Sequence, residues 1–188
     1  MKICFLGSSA AIHTVRWANA MADRGHKVHL ITMHQNDLHT INERVKIHEL
    51  PISAPWGYYL NFYFTKRLVK RINPDIINTH YASGYGTLSR LVGYSPTLLS
   101  VWGSDVFDFP YENVIKKRIL VKNLKAATQI ASTSWVMKEQ VEKFINPETS
   151  IKVTPFGINL NKFKPFDRKK KNRDTINIGI VKKLEKKY

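Results

Sequence analysis

Cysteine is nearly missing from this sequence: Cys4 stands alone among 188 residues. No internal disulfide can form, which excludes a secreted, disulfide-stapled scaffold and fits a reducing compartment. Cys/His spacings of the zinc-framework kind are also lacking, and His34 and His39 sit in a polar loop at no ligand spacing, so no metal is expected. No stretch approaches the roughly 20 apolar residues of a membrane-spanning helix. The N-terminus offers Lys2 and only the short apolar run 3–6 before Gly7, too little for a signal-peptide core. The expectation is therefore a cytoplasmic protein. Acidic residues are scarce too, 14 Asp+Glu against 30 Lys+Arg, for a net charge of +16.

What is present closes a core. Hydrophobic residues make up 43% and aromatics 11% of the chain, enough to exclude a disordered, collagen-like or mucin-like protein. The positive excess has four readings: nucleic acid, an anionic membrane surface, an anionic substrate, or solubility. Its distribution narrows them. Residues 164–188 hold ten basic and three acidic side chains, and much of the rest lies in two runs, Lys66, Arg67, Lys70 and Arg71, then Lys116, Lys117, Arg118, Lys122 and Lys125.

Along the chain, apolar runs alternate with helical periodicity. Strands are predicted at 2–6, 27–32, 45–50, 75–79, 97–101, 129–132 and 151–154. Helices are predicted from Ile12 to Ala22, then at 58–72, 87–92, 113–125 and 135–144. This alternation implies an α/β fold, a doubly wound, mostly parallel, Rossmann-like sheet. Ligands of such sheets bind at the carboxyl ends of strands, which selects 7–9, 80–86, 102–105 and 156–159 as the candidate site. After Pro165 the stretch DRKKKNRD has no apolar anchor and reads as a linker, 166–175. Residues 176–181 then look like a fresh strand with no helix to cover it. The expected organisation is a domain at 1–165, a basic linker, and at 176–188 the opening strand of a second α/β domain, which makes the chain the N-terminal half of a longer protein.

Five segments in order resemble one family. KICFLG (2–7), followed by Arg16-Trp17-Ala18 and ADRGHKV (22–28), is similar to the opening of the glycogen-synthase-like, retaining glycosyltransferases of family four, which have the two-domain GT-B architecture. PDIINTH (74–80) resembles that family's PDIIHxH, VWGSD (101–105) its H-G-S-D loop, VTPFGINLNKFKP (153–165) its interdomain VIPNGVDxxxFxP, and IGIVKKL (178–184) the strand opening the donor domain. The resemblance implies retaining, metal-independent transfer of a sugar from a nucleotide-diphosphate sugar, with no other cofactor, to a glycan or lipid-linked acceptor in bacterial cell-surface polysaccharide or glycolipid synthesis. Two positions depart from the pattern. Trp102 replaces the usual histidine, and Lys183 replaces an arginine, keeping the charge without the bidentate fork.

Transfer requires the leaving diphosphate's charge to be stabilised and the two substrates aligned. The resemblance assigns the cations to Lys183 and Lys187. Gly7, Ser8 and Ser9 either offer N–H groups to the substrate or form a plain strand-to-helix turn. His80, at a strand end, is either an acid–base group titrating near working pH or a loop-capping histidine. Asp105 either orients a sugar hydroxyl or caps a helix, and His13 either reaches the acceptor or is a surface residue. Tyr81, Trp102, Gly103, Ser104, Phe156 and Gly157 complete the expected substrate-binding set. The 58–72 helix, with Tyr58, Tyr59, Phe62, Tyr63 and Phe64 ahead of its cations, suits an anionic membrane interface at the inner face. In the alternative, Leu60, Phe64, Leu68 and Ile72 are core and the cations a solvated face. Two alternatives stand beside the transferase: a non-catalytic binding domain of the same fold, and a basic nucleic-acid-binding module, which no recognition-helix, RNP or zinc-finger pattern supports.

Overall fold

The computed structural model describes residues 1–34, 41–146, 149–165 and 179. The chain divides into two units, Met1–Phe156 and Gly157–Tyr188. In the described part of the second, Asn159 turns the chain, its side-chain Oδ1 accepting from the N–H groups of Asn161 and Lys162.

The first unit is a seven-stranded sheet: β1 (Lys2–Leu6), β2 (Lys27–Thr32), β3 (Val45–Glu49), β4 (Ile76–His80), β5 (Thr97–Val101), β6 (Gln129–Ser132) and β7 (Ile151–Val153). The strand order is β3-β2-β1-β4-β5-β6-β7, and every pairing is parallel. Parallel strands are covered on both faces, which is why Ile3, Cys4, Phe5 and Leu6 are all buried. Ile3 and Phe5 pack with Ala18 and Ala22 of helix α1 (Ile12–Asp23). Cys4 and Leu6 meet Val69 and Ile72 of α3 (Phe62–Ile72) and Leu88 of α4 (Gly84–Val92). Beyond them, Leu99, Val101 and Ile130 pack under α7 (Val114–Ala126) and α8 (Trp135–Glu142). The strand order reverses between β1 and β4, so a crevice opens at their carboxyl ends.

Three helical segments differ from expectation. First, α4 starts at Gly84 rather than 87, so Gly84 and Gly86 lie inside the helix. Asn123 of α7 fastens its entry: the amide Nδ2 donates to Ala82 O (2.9 Å), Ser83 O (3.1 Å) and Thr87 Oγ1 (2.9 Å), and Oδ1 accepts from Arg90 Nε (2.8 Å). Second, α5 (Ser104–Phe107) and α6 (Phe109–Glu112) occupy a stretch read as loop. Pro110 is tolerated in the first turn of α6, where its missing N–H is not needed.

Third, the 58–72 helix is two helices, α2 (Gly57–Leu60) and α3, broken at Asn61. The buried Asn61 side chain donates from Nδ2 to Ile52 O (2.7 Å) and accepts at Oδ1 from Ile52 N (3.3 Å). This bond turns the inner stripe to Asn61, Thr65, Val69 and Ile72, and it leaves Leu60 and Phe64 exposed. The proposed core stripe 60/64/68/72 is therefore wrong at its first two members: the inward residues there are polar, so hydrophobic periodicity followed the outer face.

Replacing Asn123 by Ala strands the buried Ala82 carbonyl, while Ser83 O still accepts from Thr87 N and Oγ1; at about 1–3 kcal/mol for an unsatisfied buried group, the expected loss of stability is roughly 2 kcal/mol. Urea unfolding should show a lower midpoint with an unchanged slope.

Candidate functional site

The crevice is walled by rings. His13, on the first turn of α1, stacks flat on Phe156, with centroids 3.6 Å apart at 5°. Trp102, just after β5, stands edge-on to both, 5.7 Å from His13 and 5.5 Å from Phe156. Beside this trio His13, Arg16, Trp17, Ala20, Pro155 and Phe156 line a cavity of about 210 Å³. His13 is a separate candidate at the start of the first helix, and the strand-end rule selected Trp102 and Phe156. It missed Arg16 and Trp17, although a spacing of i, i+3, i+4 and i+7 from His13 sets Arg16, Trp17 and Ala20 on one helical face.

His80 lies behind Trp102, ring centroids 4.5 Å apart, and against Phe5 at 5.2 Å. It is 1% exposed, Nδ1 pairs with Thr14 Oγ1 at 3.1 Å, and Nε2 has no partner among the described residues. Burial, helped by the nearby His13, pushes its pKa down to about 3. His80 is therefore a neutral, enclosed imidazole at neutral pH, which corrects the expectation of an acid–base group titrating near working pH.

Asp105 is corrected in a similar way. Its carboxylate is completely buried and accepts from the backbone N–H groups of Ala82 (2.8 Å), Gly103 (2.8 Å) and Trp102 (3.1 Å). Burial raises its pKa, against the lowering effect of these donors. The oxygens are committed to main chain rather than to a sugar hydroxyl, and they fasten the turn after β5 to the turn after β4. Within this clasp Gly103 has φ +146°, a conformation closed to most residues, and Tyr81 has φ +81°. The hydroxyls of Tyr81 and Ser104 share a hydrogen bond.

The 7–9 loop offers fewer N–H groups than expected. Gly7 N donates to Ile31 O (3.1 Å), Ser9 N to Thr32 Oγ1 (3.1 Å), and Ser9 Oγ to His34 O. Ser8 N alone of the three has no partner among the described residues. Gly7 is required for a different reason: a Cβ there would stand 3.1 Å from His80 Cβ and 3.3 Å from Thr14 Oγ1. Gly157 belongs to the second unit. Lys183, Lys187, the linker at 166–175 and, apart from Gly179, the strand at 176–181 lie outside the described residues.

An all-parallel sheet with this strand order, and a ring-lined cavity at its carboxyl edge, defines a Rossmann-like ligand-binding domain of the kind found in GT-B glycosyltransferases. The profile of the family described as glycosyl transferase 4-like matches residues 2–134, and the chain belongs to that family. Among solved structures it is similar to sucrose-phosphate synthase from Thermosynechococcus elongatus, with 16% identity and a TM-score of 0.66 over 88% of this chain and 50% of that one. It is also similar to Glycyrrhiza uralensis UGT73P12 complexed with glycyrrhetinic acid 3-O-monoglucuronide (15%, TM-score 0.54, 83% and 49%) and to Acinetobacter baumannii MurG (14%, TM-score 0.53, 85% and 46%). At these identities the likeness is one of fold. The chain spans about half the length of each. A comparison with curated proteins finds no match.

The depressed His80 pKa has a thermodynamic consequence. Between pH 6.5 and about 3 the unfolded chain binds a proton at His80 that the folded chain does not. This site's share of stability is complete above pH 6.5 and falls on acidification by up to about 1.4 kcal/mol per pH unit. Unfolding at pH 7.5 and pH 5 should therefore show roughly 2 kcal/mol more acid sensitivity in the wild type than in His80→Gln. Asp105→Ala, which strands one buried and two half-buried N–H donors, is expected to cost about 3 kcal/mol and to shift the Trp102 emission. Unchanged stability would remove the clasp.

Proposed function

We propose that this chain is the acceptor-side half of a retaining glycosyltransferase. The enzyme moves a sugar from a nucleotide-diphosphate sugar to a glycan or lipid-linked acceptor in the cytoplasm, in bacterial cell-surface polysaccharide or glycolipid synthesis. Family membership supports the reaction class. The observation that carries the acceptor role is the cavity bounded by the His13–Phe156 stack with Arg16 beside it. Flat rings take the C–H-rich face of a pyranose, and a guanidinium pairs with an anionic substituent or diphosphate.

In the proposed reaction an acceptor hydroxyl forms the new bond to the anomeric carbon, and the bond from that carbon to the diphosphate oxygen breaks. The hydroxyl proton passes to the departing diphosphate, whose charge Lys183 and Lys187 of the second half stabilise in place of a metal. His80 and Asp105 act as positioning residues: His80 backs Trp102, and Asp105 fixes the turn that carries it. This division supports a half-enzyme whose task is alignment.

Transfer kinetics test the reading in the protein joined to its donor-binding half. Trp102→Ala should raise the KM for acceptor tenfold or more, about 1.4 kcal/mol of ring contact, and leave the donor KM unchanged. An unaltered acceptor KM would sink the acceptor assignment. The 188-residue chain alone is expected to fold and to transfer negligibly; measurable transfer would contradict the two-half arrangement.

A further inference from the structure

The outer face of α2 and α3 is the most unusual surface of the molecule. Six large apolar or aromatic side chains within nine residues are exposed there: Trp56 (71%), Tyr59, Leu60, Phe62, Tyr63 (55%) and Phe64. Lone exposed hydrophobics are ordinary, but a contiguous cluster marks an interaction surface. The same face carries four exposed cations, Lys66, Arg67, Lys70 and Arg71, and no acidic residue lies between Trp56 and Arg71. The inner stripe of Asn61, Thr65, Val69 and Ile72 already fills the contact with the sheet, so the outer arc is surplus to the core.

We propose that this face docks the protein on an anionic lipid bilayer, with the aromatic side chains entering the headgroup region and the cations pairing with lipid phosphates. Charge complementarity selects the occupant, since aromatic anchors ahead of a cationic turn match the interface of an anionic leaflet, where rings and cations are each favoured. A shallow groove lined by Phe64, Leu68, Arg67 and Arg71, with the two arginines one turn apart, offers a phosphate seat. Arg67 also lies over the Tyr63 ring at 5.8 Å, coupling one cation to one anchor. Among the described residues no helix is long and apolar enough to cross a membrane, so the contact is interfacial.

Position ties the face to the crevice. The Tyr58 ring of α2 packs edge-on against Tyr85 (5.4 Å), in the first turn of α4, and tilts toward His34 (6.3 Å), just past β2. Both neighbours follow strand carboxyl ends, so the aromatic end of the face sits at the edge of the sheet that holds the acceptor cavity. The inference rests on the proposed function only where it makes the acceptor lipid-linked, because docking is measured without donor or acceptor.

The test is co-sedimentation of the 188-residue chain with phosphatidylglycerol–phosphatidylcholine vesicles and with pure phosphatidylcholine vesicles. The chain should partition onto the anionic vesicles, and less so in high salt. Arg67→Gln/Arg71→Gln should weaken partitioning tenfold or more, at roughly fivefold per cation near the surface, and Tyr63→Ser/Phe64→Ser should weaken it to a similar extent. These side chains are exposed, so circular dichroism and the urea midpoint should stay at wild-type values. Absent binding, equal binding to neutral vesicles, or binding unchanged in both variants overturns the proposal. So does a vesicle-free dimer that these substitutions dissociate, which would assign the face to a second copy. None of these failures touches transfer to a water-soluble acceptor.

Discussion

The completely buried carboxylate of Asp105 is the contact on which the ligand edge of the sheet depends. Parallel strands end in turns that share no ladder, so something other than β-pairing must join the turn after β4 to the turn after β5. Asp105 does so by accepting from Ala82 on one side and from Trp102 and Gly103 on the other. The arrangement obliges Gly103 to take φ +146°, a position where any side chain is strained. Asn123 completes the clasp from below, holding the Ala82 and Ser83 carbonyls. With both turns fixed, Trp102 has one place to stand, and the His13–Phe156 stack forms against it.

The two buried ionisable groups behind the crevice, His80 and Asp105, are held uncharged or committed. His80 is held neutral by burial, and its crowding of Gly7 shows that the imidazole is packed as a core ring. Asp105 has its oxygens occupied by main chain. What faces the cavity is an aromatic wall and one guanidinium, suited to orienting a polyhydroxylated ring more than to exchanging protons with it. A wall of this kind contributes through alignment, which can account for several kcal/mol of a barrier once the second substrate is held opposite.

Much of this architecture was legible in the sequence because buried parallel strands write themselves as apolar runs. Residues 2–6, 27–32 and 97–101 needed no context, and the strand-end rule then pointed to Trp102 and Phe156, which the fold brings together with His13. The roles of His80 and Asp105 were not legible. A histidine or an aspartate after a strand looks the same whether it faces solvent or is enclosed, and the difference lies in Phe5, Thr14 and Ala82, which only folding brings near. Asn61 misled for a related reason: its amide spends both polar atoms on Ile52, and so a polar residue occupies the inner stripe while Leu60 and Phe64 point outward.

That inversion gives the α2–α3 segment its meaning. Had 60, 64, 68 and 72 been core, the neighbouring cations would be an ordinary solvated face. With Asn61 and Thr65 inside, the fold spends two inward positions on polar groups, one of them, Thr65 Oγ1, without a partner among the described residues, and turns six large apolar side chains to the surface. Exposed apolar area costs about 25 cal/mol per Å² relative to burial, so stability alone would favour the opposite arrangement. A surface that departs from the stability optimum in one contiguous patch is what the proposed docking on an anionic bilayer accounts for, since there the rings and the cations each have a favourable environment.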